Sequence, residues 1–334
     1  MTLTLSRARR TGAALAALLV AVAGVTACSS SSAKQIRLVE YSVPKPAYDA
    51  LSKAFVKTSA GKGVKFRASY GPSGTQSKAV LAGQKADYVG FSVTPDLTKL
   101  VPGKVDENWD SGPTKGIVSD SVVVIVVRKG NPLGIKGWDD LVKPGVKIVT
   151  PSPASSGSAK WNILAAWSHI TAQGGTESQA TAYLKQFYSH VVSKTASGAV
   201  ATQQFTSGTG NVLISYENEA ITARAKGANV DYIVPDQSVL IQNPAAVTKK
   251  ASAPAKKFLA FAESTKGQQI FASTGFRPVV SGVQVGTVKG ANDPSNPFPT
   301  VPKLTTVTQL GGWKSVNDKF FGPSGIDTKI EGSG

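Results

Sequence analysis

The sequence predicts an α/β protein built of parallel layers, and three observations carry that reading. Short β-prone runs alternate with helical patterns from residue 36 onward. One run, SVVVIVV over 121–127, is apolar on both faces. Turns rich in glycine and hydroxyl residues stand between several of the strands and helices. In chain order, residues 36–41, 64–69 and 88–93 read as strands. Between them, residues 46–57 set Tyr48, Leu51 and Phe55 on one helical face, and 74–82 form a second short helix with Ser73 as its N-cap. Residues 121–127 read as a fully buried strand and 147–150 as another, followed by a helix over 157–172. Thr176 and Gln179 make a capping box for a helix that buries Ala180, Tyr183, Leu184 and Phe187. Residues 211–216 and 230–234 are strands, 238–246 is extended, and 254–264 is helical with Phe258, Phe261 and Ala262 facing inward. From Ser281 the chain is rich in Pro, Gly and Asn and reads as a wrapping tail with little regular structure. No internal repeat is present.

The first residues describe export. Arg7, Arg9 and Arg10 precede an apolar run over 13–22, too short to span a bilayer, and the small residues Val25, Thr26 and Ala27 precede Cys28. Residues 1–27 therefore read as a signal peptide. Cys28 is the chain's single cysteine, and its place resembles the bacterial lipobox, where the thiol receives a diacylglyceryl group. Residues 28–34 then read as a flexible, serine-rich tether. Roughly 300 residues remain, enough for two domains or lobes. With one cysteine no disulfide forms within a mature chain, so the fold rests on its core. The formal net charge is +17, yet the lysines are scattered rather than blocked. That pattern suits a soluble surface with a mild attraction for anions, and no nucleic-acid partner is expected.

Catalytic readings fail on inventory. The two histidines, His169 and His190, lie in helical patterns and read as structural or surface residues. No Walker loop, Rossmann glycine pattern or zinc spacing occurs, and the turn at Gly71 to Gly74 lacks the spacing of a nucleophile elbow. No enzyme activity, cofactor or metal is expected. Three turns instead share one character: 70–76 (YGPSGTQ), 153–160 (PASSGSAK) and 195–199 (TASGA). A helix start leaves up to four N–H groups unpaired and carries a positive partial charge, and glycine lets an anion approach the backbone. Serine and glycine are also common N-cap residues, so one such turn says little; three in one exported α/β chain point to anion capture.

Over nearly all of its mature length the chain resembles the bacterial periplasmic sulfate/thiosulfate-binding proteins. The resemblance is carried by GWDDLVKPGVKIVTP over 137–151, SGSAKWNILAAW over 156–167, VLISYENEA over 212–220 and the Ser-Gly loop over 70–80, with GFRP at 275–278 and GGW at 311–313 as C-terminal signposts. It implies a type II periplasmic-binding-protein fold, with two α/β lobes joined by crossover strands at 121–127 and 238–246 and the ligand in the cleft. Lobe one would comprise 35–120 plus 245–334, and lobe two 121–240. It also implies that a desolvated dianion is held by neutral donors at Ser42, Ser73, Ser156, Gly157, Ser158, Ala199 and Tyr216. Three of these depart from the family pattern, which has Asp at Ser42, Gly at Ser158 and Trp at Tyr216; each replacement keeps a possible donor. The implied function is capture of sulfate, or thiosulfate, for an ABC importer by a monomeric lipoprotein on the outer face of the cytoplasmic membrane. Its partners would be the permease subunits and, through Cys28, the membrane. Phosphate, molybdate or tungstate is the rival ligand, and a surface lipoprotein that has lost its ligand is the rival role.

Overall fold

Strand β1 (Gln35–Tyr41) is buried on both faces from Leu38 onward, as a strand with a partner on either side must be. It pairs in parallel with β2 (Lys65–Gly71), Gln35 opposite Lys65 and Tyr41 opposite Gly71, and on its other edge with β3 (Tyr88–Gly90). Helix α1 (Lys45–Phe55) joins the first two strands. Its Ala47, Tyr48, Leu51 and Phe55 recur at helical spacing and pack inward, and Pro46 sits where the first turn needs no N–H. Helix α2 (Ser73–Leu81) leads to β3, and α3 (Thr94–Thr98) follows. The computed structural model describes residues 34–332; the expected signal peptide, most of the tether and Cys28 lie outside them.

The middle of the chain runs β4 (Ile117–Arg128), β5 (Ile148–Pro151), α4 (Gly157–Thr171), α5 (Glu177–Ser189), β6 (Val191–Thr195), α6 (Gly198–Thr206), β7 (Val212–Tyr216), α7 (Glu217–Ala225) and β8 (Val230–Ile233). Then come β9 (Gln237–Val247), α8 (Ala253–Glu263), α9 (Thr265–Ser273), β10 (Lys303–Thr305), α10 (Gly312–Val316) and α11 (Ile326–Gly332). The described strands form one mixed sheet in the order β2-β1-β3-β9-β4-β7-β5-β6, with β10 on β9 and β8 on β4. The two long strands hold this path together. β9 runs antiparallel to β4, with Ser121 opposite Ile241, and further along pairs with β3. β4 leaves β9 after Val122 and continues against β7 and β8.

Local chemistry explains most of the agreement with the sequence. Thr176 and Gln179 exchange both capping-box bonds, and the four residues expected to bury on α5 do so. Burying each large apolar side chain contributes about 1.5–3 kcal/mol, and Trp138, Trp161 and Trp167 are all fully enclosed. Both histidines are structural: His169 lies 2.9 Å from Asp139, and His190 ends α5 with Nδ1 3.1 Å from the Val146 carbonyl.

Several expectations change. β3 stops at Gly90 rather than 93: the Phe91 N–H still reaches the Pro244 carbonyl of β9 (3.0 Å), but Pro244 has no N–H to return, and the ladder ends before Ser92. Ser73 is the first residue of α2, not its cap; Pro72 precedes the helix in extended geometry and the Ser73 hydroxyl is engaged elsewhere. Phe261 is only partly buried. The tail is irregular over 281–302 but then regains order. Trp313 packs edge-on against Trp161 at 4.9 Å and Phe320 against Trp167 at 5.0 Å, so tertiary docking supplies what a Gly-rich stretch lacks locally.

Candidate functional site

Helices α2, α4, α6 and α7 each begin just beyond the end of a strand, at β2, β5, β6 and β7. The first N–H groups of such helices have no intrahelical partner. The sequence places glycine or a hydroxyl residue at the starts of α2, α4 and α6, so nothing bulky covers those groups. The start of α2 meets that of α4 directly: the Gly74 N–H donates to the Ser155 carbonyl at 3.2 Å.

Ser92, in the turn after β3, is where three of the expected residues meet. Its N–H donates to Ser73 Oγ (3.0 Å), and the Ser73 O–H in turn donates to Asp96 (2.7 Å). The Ser92 hydroxyl lies 2.7 Å from the Tyr216 hydroxyl. Its carbonyl accepts from Trp161 Nε1 (2.9 Å) on α4 and from Asn243 Nδ2 (3.1 Å) on β9. Gly157 presses on the same residue. A Cβ there would stand 2.6 Å from Ser92 Cβ and 2.7 Å from its Oγ, so only glycine fits without a shift. Ser158 and Asn243 also neighbour the Tyr216 hydroxyl. Burial holds that phenol well above its ordinary pKa, so it keeps its proton.

The remaining positions lie alongside. Ser158 Oγ, Glu219 Oε2 and Val43 all crowd the Cα of Gly198, where a Cβ would come within 2.9–3.1 Å of each. Ser42 and Ala199 line one open cavity of about 510 Å³, together with Thr202, Asn218 and Glu219. Ala199 is the second residue of α6, whose cap is Ser197; the Ser197 hydroxyl takes the Val200 N–H and leaves Ala199 outside that bond. The Ser156 N–H is spent on the Ser152 carbonyl (2.9 Å), so Ser156 can offer a ligand only its hydroxyl. Gly157 and Ser158, the first two residues of α4, keep N–H groups without an intrahelical partner. Glu219 is buried at the wall of that cavity, and burial pushes its carboxyl up to about 7 although Ser215 (3.0 Å) and Thr202 hydrogen-bond it. Among the described residues no group of three or more acidic, His or Cys side chains could hold a metal.

Reading the residues alone missed Ser92, Asp96 and Asn243. A signal for two of them was present. Ser92 is a hydroxyl residue at the end of an interior strand, where α/β sheets place their sites, and Asn243 is a polar residue inside an otherwise apolar run. Asp96 carried none, because it acts through Ser73 and not through its own neighbours in the chain.

A mixed sheet knit by two long shared strands, with helix starts gathered beside them, is the arrangement of an α/β solute-binding protein. The profile of the family described as bacterial extracellular solute-binding protein matches residues 36–277. A sulfate-binding protein of Synechococcus elongatus is 38% identical, over 89% of this chain and 86% of its own length. A thiosulfate-binding protein of Pseudomonas aeruginosa is 29% identical over 90% and 93%. The solved structure of the sulfate-binding protein SubI from Mycobacterium tuberculosis H37Rv is 43% identical, with a TM-score of 0.80 over 86% of this chain and 99% of that one. The chain belongs to the bacterial extracellular solute-binding proteins, in the group of sulfate- and thiosulfate-binding proteins. Members of that family work outside the cytoplasm, and no helix among the described residues is long and apolar enough to cross a membrane.

Proposed function

We propose that the protein captures sulfate, and thiosulfate as a second ligand, and hands it to an ABC importer. One observation carries this reading: unspent helix-start N–H groups and hydroxyls from separate parts of the chain gather around Ser92 and the adjoining cavity. The donors would be the N–H groups of Ser42, Ser73, Gly157, Ser158 and Ala199 and the hydroxyls of Ser156 and Tyr216. Such a set suits a fully deprotonated dianion. Phosphate keeps a proton at neutral pH and needs an acceptor for it, and the nearby carboxylates are engaged, Asp96 by Ser73 and Lys99 and Glu219 by Ser215. In this reading β4 and β9 are the crossover strands, lobe one is 35–120 with 245–334, and lobe two is 121–240. The protein would act as a monomer, held by lipid on Cys28 at the outer face of the membrane, and Cys28→Ser should release it into the soluble fraction.

Titration calorimetry against sulfate, thiosulfate, molybdate and phosphate tests the reading. Sulfate should bind tightly and raise the melting temperature, because it binds only the folded state. A buried donor-only site rejects a mismatched ligand by about 10⁴-fold. Phosphate bound as tightly as sulfate would overturn the assignment.

A further inference from the structure

We propose that Tyr41 is a further donor to the bound oxyanion, adding a phenol to the hydroxyls and N–H groups described above; this rests on the reading of the site as an anion cleft. Tyr41 ends β1, immediately before Ser42, and is 3% exposed. Its hydroxyl is buried without a hydrogen-bond partner. Buried polar groups are nearly always paired, so one left open calls for a reason. Among the described residues two buried hydroxyls are in that condition, Tyr41 and Ser168. Ser168 belongs to the body of α4, whereas Tyr41 adjoins the site.

The surroundings identify what the hydroxyl is kept for. The Tyr41 and Tyr216 rings lie 6.5 Å apart, tilted by 50°. The ionisable groups that act on Tyr41 are Tyr216, Glu219 and Glu40, and alternation along the strand sends Glu40 to the opposite face. The two that share its side are engaged. The Tyr216 hydroxyl meets Ser92, and Glu219 accepts from Ser215. The Tyr41 proton is therefore unspent, beside the ligand position expected at Ser42 and the phenol expected at Tyr216. A dianion takes such a proton and asks for nothing in return, since the phenol is its donor and needs no further partner. The same step would satisfy the open hydroxyl, so ligand binding removes a defect that the fold carries without it.

The experiment compares the parent chain, Tyr41→Phe and Gly157→Ala by calorimetry with sodium sulfate, with melting temperatures measured in its absence. Tyr41→Phe keeps the ring and its packing. It should weaken sulfate about ten- to a hundred-fold, the effect of one hydrogen bond to a buried charge. Without sulfate its melting temperature should equal or exceed that of the parent, because a buried unpaired hydroxyl is gone. Sulfate should also perturb the tyrosine absorbance of the parent more than that of the variant. If Tyr41→Phe binds sulfate as the parent does while Gly157→Ala loses it, Tyr41 is no contact and the site stands. If neither variant is weakened, the site itself is misassigned. A lower melting temperature without sulfate, with unchanged affinity, would make Tyr41 a packing residue only.

Discussion

Glu217 and Glu219 leave the same first turn of α7 for opposite environments, and the contrast explains how this protein treats charge. Glu217 is fully buried and receives two bonds from Arg277, at 2.7 and 2.9 Å, while the backbones of Arg277 and Asp120 exchange two more. Glu219 faces the cleft, where it has hydroxyls for company and no cation in contact, and its carboxyl rises to about 7. A charge that the fold keeps permanently is given an opposite charge. Around Glu219 the contacts are hydroxyls, and the two lysines that line the same cavity, Lys45 and Lys226, make no ion pair with it.

Breaking the permanent pair should have the largest effect. Arg277→Met strands Glu217 in the interior and should cost about 3–5 kcal/mol in urea unfolding. Adding Glu217→Leu should recover most of that loss, since replacing both members of a buried pair with apolar groups is often neutral. No recovery would mean that Arg277 stabilises mainly through the Pro299 carbonyl, which it also contacts at 2.9 Å.

The neutral side of the comparison is sharpened at Gly157. Its replacement by alanine forces Ser92 or the start of α4 to move, because the new Cβ falls 2.6 Å from Ser92. Sulfate affinity should drop roughly a hundred-fold or more, equivalent to about 2.7 kcal/mol. Overpacking should also cost about 1–3 kcal/mol of stability. Tyr216→Phe comes next. It removes one hydroxyl but keeps the ring; it should weaken sulfate by about 1.5–3 kcal/mol and, by leaving the buried Ser92 hydroxyl without its partner, lower stability by about 1–3 kcal/mol. Parent-like affinity would show that Tyr216 serves Ser92 and not the ligand.

The smallest effect concerns pH. Glu219 faces Ser215, Thr202, Gly198 and Val43, with Tyr41, Tyr216 and Lys226 within electrostatic reach. Its folded-state pKa of about 7 lies above the ordinary 4.5, so the fold favours the protonated form. That contribution is complete at low pH and is lost as pH rises from the ordinary carboxylate value to about 7. A bound dianion favours the same proton. Sulfate affinity should therefore fall as pH rises through about 7, by at most tenfold per pH unit, and Glu219→Gln should flatten the profile. Calorimetry in matched buffers checks this, and a slope unchanged in the variant would assign the titration elsewhere.

Much of this was legible in the chain itself. Much of the strand and helix order followed from periodicity and the α5 cap from Thr176 and Gln179, but β6 and the short helices α3, α6 and α7 carried too little pattern to be read. The tail was harder to read. Residues 312–332 lack a strong periodic pattern and fold as short helices because Trp313 and Phe320 find Trp161 and Trp167 on α4. The expected cap at Ser73 failed for a related reason, since Asp96 and Ser92 outcompete the helix's own N–H groups for its hydroxyl.

The sequence by itself determined most of the longer elements and the glycine and hydroxyl residues at their ends, because propensity, capping and glycine freedom act over a few residues. Only the tertiary structure decided which ends meet. Ser92 and Tyr216 stand 124 residues apart in the chain and 2.7 Å apart in the fold. Glu217 and Glu219 are two positions apart and differ in whether a cation reaches them. Hydrogen bonds and desolvation depend on distances of a few ångströms between atoms, and distance in the chain does not fix those.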